Sequence, residues 1–110
     1  MTIRADVLRG HTDAVILAQL LRRDSYGYEI NKAILRKSAG RYELNEATLY
    51  TAFKRLTDMG YIVTYWGDEA VGARRKYYKI TQQGREAYRQ ARAEWADTVR
   101  ILHALLEEEA

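Results

Sequence analysis

The run Leu44 to Ile62, LNEATLYTAFKRLTDMGYI, leaves this chain little freedom. Leu49, Ala52, Phe53, Leu56 and Met59 recur at helical spacing, so one face is apolar and is expected to meet a core. Thr48, Tyr50, Thr51, Lys54, Arg55 and Asp58 fall off that stripe. Asn45 stands where an N-cap belongs, Glu46 suits the positive end of the helix dipole, and Gly60 supplies the stop. The spacing predicts a helix from Asn45 to Met59. Hydroxyls and cations on its outer side suit phosphates and base edges in a DNA major groove. A plain amphipathic helix with a solvated face has the same pattern, and this segment alone does not choose between the two.

The rest of the chain supplies context. Its 110 residues form one domain. Apolar residues make up 47% of it, enough for a globular fold. The formal charge of +3 is mild, but its distribution is uneven. Residues 1–69 carry 10 Lys and Arg against 9 Asp and Glu, residues 70–92 carry 7 against 1, and residues 93–110 carry 1 against 5. A basic block between a neutral half and an acidic tail fits an anionic partner gripped locally. Cysteine is absent, which excludes disulfides and thiolate metal sites. No stretch approaches the roughly 18 apolar residues of a membrane span. No signal-peptide core opens the chain. A cytoplasmic protein that does not engage the membrane is the expectation.

Residues 5–22 read as a first helix, apolar nearly all round from Ala14 to Leu21. Such a helix needs cover on more than one side, from its own core or from a second subunit. Ser25 is expected to cap a second helix from Tyr26 to about Ser38, with Gly40 closing it. Two short helices of which the later is polar outside resemble a helix-turn-helix. Then the period changes. Tyr61 to Trp66 and Arg75 to Ile80 are rich in β-branched and aromatic residues, and GDEAVGA lies between them. This is a hairpin signal. A hairpin after a helix-turn-helix is a wing, and Arg74, Arg75 and Lys76 make it basic, suited to phosphates or a narrow minor groove. A solvated cationic loop is the plainer reading.

Thr81 is expected to cap a last helix running to about Glu107. Tyr88, Ala91, Trp95, Thr98, Leu102 and Leu105 form a heptad-like seam, widened by Val99, Ile101 and Leu106. Pairing with a second chain would cover it, and so would folding back on the first helix; the two are compatible. The expected class is mainly α (α+β): a winged helix-turn-helix over 1–80 with a two-stranded wing, and a dimerisation helix over 81–110 that packs with the helix of 5–22.

Three segments, LNEATLYTAFKRL, YWGDEAVGARRKYYKIT and AEWAD, together resemble the PadR family of bacterial transcription regulators, in its short form with one C-terminal helix. The likeness covers the whole chain and is greatest to the multidrug-responsive, LmrR-like members. It implies a homodimer that binds a palindromic double-stranded DNA operator, usually as a repressor, with no cofactor. Carried onto matching positions, it implies DNA contacts by Thr48, Tyr50 and Lys54, with Thr51 beside them on the same face. It further implies phosphate contacts by Tyr26 and Asn45, and a wing that includes Gly72, Arg74, Arg75 and Lys76. Tyr50 is equally open to a packing role.

The resemblance also implies a pore between the first and last helices, where planar aromatic compounds stack at Trp95. Its walls would be Val7, Gly10, Asp13, Ala14 and Leu17 on one side and Tyr88, Ala91, Trp95 and Val99 on the other. An indole at a two-fold axis offers parallel apolar plates to a flat ligand. Gly10 inside a helix costs about 1 kcal/mol against alanine, so room beside the pore would explain it. Val99 stands where relatives that take cationic drugs can carry an acid, and Asp13 is the substitute expected from the opposite wall. Phenolic acids, or no effector, are the alternatives, and Trp95 is also open to a pure packing role between subunits.

Two rivals come from other classes. An enzyme would need a nucleophile beside a base, a phosphate loop or a metal cluster, and none is visible. His11 and His103 are isolated; even facing one another across the helix pair, they make no metal site without a third ligand. A winged helix used for protein contacts would not need the clustered wing cations.

Overall fold

The computed structural model describes residues 4–68, 72 and 74–108. Its elements are α1 (Ala5–Leu8), a 3-10 turn (Arg9–His11), α2 (Thr12–Gln19), β1 (Ser25–Tyr26), α3 (Gly27–Lys37), α4 (Glu46–Asp58), β2 (Ile62–Trp66), β3 (Lys76–Ile80) and α5 (Gln82–Leu106). The first helix is therefore not continuous over 5–22. Gly10 weakens it, and Arg9–His11 tightens into a 3-10 turn that separates α1 from α2. Nothing lies within 4 Å of where a Cβ on Gly10 would stand, so crowding within the protomer does not account for this glycine.

α2 is covered on two sides by its own chain. Ile16, Leu17 and Leu20 enter the core, and Ala14, Val15 and Ala18 face α5 across a cleft. The core joins these residues to Ile30 and Ile34 of α3, to Leu44, to Leu49, Ala52, Phe53 and Leu56 of α4, and to Ile62, Tyr78 and Ile80 of the sheet. Phe53 stacks on Tyr78 with centroids 3.8 Å apart. Met59 does not join them. It is the C-cap of α4 and 51% exposed, because the helix ends before its side chain can turn inward.

The wing is larger than a hairpin. β2 and β3 pair antiparallel, Ile62 opposite Ile80 and Trp66 opposite Lys76. β1 adds a third strand on the other edge of β3, Ser25 opposite Tyr78. This corrects the expectation for Ser25. It is buried in the ladder, and α3 begins after Tyr26, which offers no side-chain cap. Glu69, Ala70, Val71 and Ala73 of the expected wing loop lie outside the described residues.

Asn45 caps α4, its side chain accepting from the Thr48 amide at 2.8 Å. Gly60, at φ +79°, provides the left-handed step that ends the turn. Thr81 caps α5 by accepting from the Gly84 amide at 3.0 Å and donates to the Gly60 carbonyl at 2.7 Å. Gly84 is obligatory there: a Cβ would stand 2.1 Å from the Tyr61 carbonyl oxygen. Only the start of α5 packs on the core, through Gly84, Ala87 and Tyr88. Beyond Ala91 every described residue of α5 is exposed, and the protomer extends 65 × 32 × 22 Å.

Candidate nucleic-acid interface and ligand cleft

The periodicity of α4 decides what its outer face presents. With Leu49, Ala52, Phe53 and Leu56 buried, Ala47, Thr51, Lys54 and Asp58 point outward, and all four are exposed. Lys54 donates to Asp58 one turn on, at 3.3 Å. Tyr50 lies on one flank. Its ring meets Phe53 edge to face with centroids 5.5 Å apart, yet it remains 51% exposed. Its hydroxyl lies close over α3: a Cβ on Gly27 would come within 2.8 Å of it. Tyr50 thus has both a packing contact and an accessible edge. Thr48 and Arg55 form the opposite flank.

The other candidates surround this helix or the wing. Tyr26 is half-buried in β1, edge to face with Tyr77, with the Arg75 guanidinium 4.7 Å from its ring centroid. Arg74 donates to the Gly67 carbonyl at 3.1 Å and so helps hold the hairpin together. Gly72 has φ +87°, a conformation suited to glycine. Lys76 is exposed at the start of β3. Arg74 and Arg75 precede the strand rather than open it. Thr48, Thr51, Lys54, Tyr50 and Asn45 therefore share α4 or its cap, while Tyr26 and Lys76 share the sheet and Arg75 stands just before it, over the Tyr26 ring.

A second feature lies between α2 and α5. A cleft of about 330 Å³ is lined by Leu8, His11, Ala14, Val15, Ala18, Gln19, Tyr88, Ala91, Arg92 and Trp95. His11 meets Trp95 edge to face, centroids 4.8 Å apart, so it faces the indole and not His103. Of the expected pore residues, Ala14, Tyr88, Ala91 and Trp95 come together here. Val7, Gly10 and Val99 lie outside the cleft, all three exposed. Two expectations need correction. Leu17 is 2% exposed and packs in the core, because its position on α2 points inward. Asp13 turns toward α4, where both its carboxylate oxygens accept from Arg55. It therefore adds no negative charge to this cleft.

The fold also assembles what spacing along the chain does not reveal. Arg9 and Thr12 come beside Ala47, Thr48, Thr51 and Arg55 across a gap between α2 and α4. The Asp13–Arg55 pair spans 42 positions, so no local pattern announces it. Gly27 and Gly84 likewise owe their place to contacts distant in sequence.

Residues 16–90 match the transcriptional regulator PadR-like family. A transcriptional regulator from Clostridium thermocellum is similar in structure, with 44% identity, 93% of this chain and 99% of that chain covered, and a TM-score of 0.86. A PadR family transcription regulator from Clostridium difficile R20291 shares 32% identity over 89% of this chain and all of its own, with a TM-score of 0.76. Bacillus subtilis PadR in complex with operator DNA covers 94% of this chain and 50% of its own at a TM-score of 0.65; with 19% identity, that likeness concerns the fold.

Proposed function

Because this chain belongs to the PadR-like family of transcriptional regulators, we propose that it acts as a homodimeric, ligand-responsive repressor of a palindromic operator. DNA binding is the family function. The outer face of α4 and the basic wing are the surfaces suited to it. The Bacillus subtilis relative, solved with operator DNA, shares this fold. The finer reading, pairing and effector response, has its own support.

One observation carries it: Trp95 lines the cleft, 48% exposed, midway along an apolar stripe of α5 that is uncovered beyond Ala91. The stripe is symmetric about it. Ala91 and Val99 lie four positions away, Tyr88 and Leu102 seven. Two α5 helices crossing antiparallel at Trp95 would set Tyr88 of each chain against Leu102 of the other. Charge leans the same way: Arg85, Arg89 and Arg92 stand with Glu86 and Glu94 before the centre, and Asp97, Glu107 and Glu108 with Arg100 after it. The two indoles would then close the clefts on either side of the axis.

A flat aromatic compound gains burial and stacking in such a site. Among the described residues, its polar lining is His11, Gln19, Tyr88 and Arg92, with no carboxylate. Neutral or anionic planar compounds suit it better than cations. α2 forms one wall of the cleft and touches α4 through Asp13, so a wedge at Trp95 displaces the helix beside the reading head. Ligand and DNA must then weaken each other reciprocally.

The test uses W66F, which leaves Trp95 as the sole indole. Titration with planar aromatic acids and phenols is expected to quench its fluorescence and to release a bound duplex. W95A is expected to abolish ligand binding while DNA affinity stays within about threefold, a difference under 1 kcal/mol. Equal loss of both would reduce Trp95 to a packing residue between subunits.

A further inference from the structure

The two flanks of α4 have different neighbours. Tyr50 leans toward α3. Thr48 and Arg55 lean toward α2, and with Thr51, Arg9 and Thr12 they line an open cleft of about 340 Å³. Arg55 is held there by two hydrogen bonds, at 3.1 and 2.5 Å, to the two oxygens of Asp13. That contact raises its pKa further, so it stays charged. Arg9 is exposed and makes no hydrogen bond or ion pair among the described residues. Asp6 is engaged by Arg4 at 2.9 Å, and Arg9 acts on it only as a weaker charge nearby. Thr12 is a buried polar residue at the start of α2. The cleft thus gathers two guanidiniums against one carboxylate, with three hydroxyls around them.

Its location matters as much as its composition. An α-helix with its side chains is about 10–12 Å across, and the major groove it would enter is about 12 Å wide. The outermost residues then meet base edges, and the flanks meet the two rows of phosphates. On the Tyr50 flank, those rows would find the tyrosines and the wing. On the other flank they would find this cleft.

We propose that the cleft between α2 and α4 is a backbone-phosphate site, in which Arg9 and Arg55 hold one phosphodiester of the duplex and Thr48 and Thr51 donate to its oxygens. The proposal rests on the DNA-binding reading above. Asp13 engages only part of the guanidinium fork of Arg55, leaving the other N–H groups to an anion and fixing their direction in advance. A contact of this kind carries no sequence information; it sets the register of α4 in the groove. Asp13 and Arg9 also belong to the segment that walls the Trp95 cleft, so a shift of α2 moves the phosphate grip directly.

The experiment measures affinity for a mixed-sequence duplex against salt for the full chain and for R9A, R9K and K76A. Each lost phosphate contact lowers the slope of log affinity against log salt by about 0.9. R9A is expected to lower it by that amount per protomer, to weaken all duplexes alike, and to leave the melting temperature unchanged. R9K keeps the charge and is expected to keep the slope. If R9A matches the wild type while K76A flattens the slope, the cleft lies outside the footprint and the proposal fails, with DNA binding intact. An R9K slope as low as that of R9A overturns it too, because charge would not be the cause. A wild-type chain that binds no duplex at low salt overturns both readings.

Discussion

Single side chains set how this protein responds to alkali. Tyr78 is buried against Phe53, and burial pushes its phenol up to about 12 from an ordinary value of 10.0. Tyr65 reaches about 12 by another route, since its hydroxyl donates to Asp24 at 2.5 Å and that bond requires the proton. Both folded-state values lie above those of the unfolded chain. Their contribution is therefore complete below about pH 10 and is lost as the pH rises toward 12, the unfolded chain releasing its protons first. The urea midpoint is expected to hold steady up to about pH 10 and to fall beyond it, in step with phenolate absorbance. A midpoint that stays flat to about pH 12 would contradict this. Residue identities were legible in part. Trp95, Tyr88 and Ala91 share one face of α5, as their spacing implies, and that face lines one cleft. Asp13 and Leu17 were misplaced, because the 3-10 turn at Arg9–His11 and the pull of Arg55 fix which way α2 faces, and neither is written in local periodicity.

At the scale of elements, capping governs how firmly the reading helix begins. Asn45 satisfies the Thr48 amide, and Thr48 and Thr51 belong to the first turns that this cap holds. N45A is expected to cost about 1 kcal/mol of stability and to weaken DNA binding by fraying that end of α4. Chemical denaturation and duplex titration of the same variant check both effects; full stability after the substitution would show that the cap is dispensable. The elements with a strong period, α4, the β2–β3 hairpin and α5, were readable from sequence to within a residue or two. β1 was not. Two residues are too short for an alternating pattern, and Ser25 carries the signature of a helix cap while its backbone pairs with β3.

The whole molecule is unbalanced. Its head has a closed core, and its last helix leaves Trp95, Ile101, Leu102, Leu105 and Leu106 in solvent. Exposed apolar stripes of this kind are typical of association surfaces. If a second copy covers it, the melting temperature rises with protein concentration. Replacing Leu102 with lysine is expected to abolish that dependence, give a single protomer by sedimentation, and leave the circular dichroism of the head near that of the wild type. A concentration-independent melt of the unaltered chain would exclude the pairing.

The order of these parts along the chain also bears on how the protein is made. Residues of the core run from Ile16 to Ile80, all ahead of the exposed stripe. Synthesis runs from the N-terminus, at about 5–20 residues per second. Nearly all of each head, α1 through β3, is therefore made before the exposed stripe that a second copy would cover.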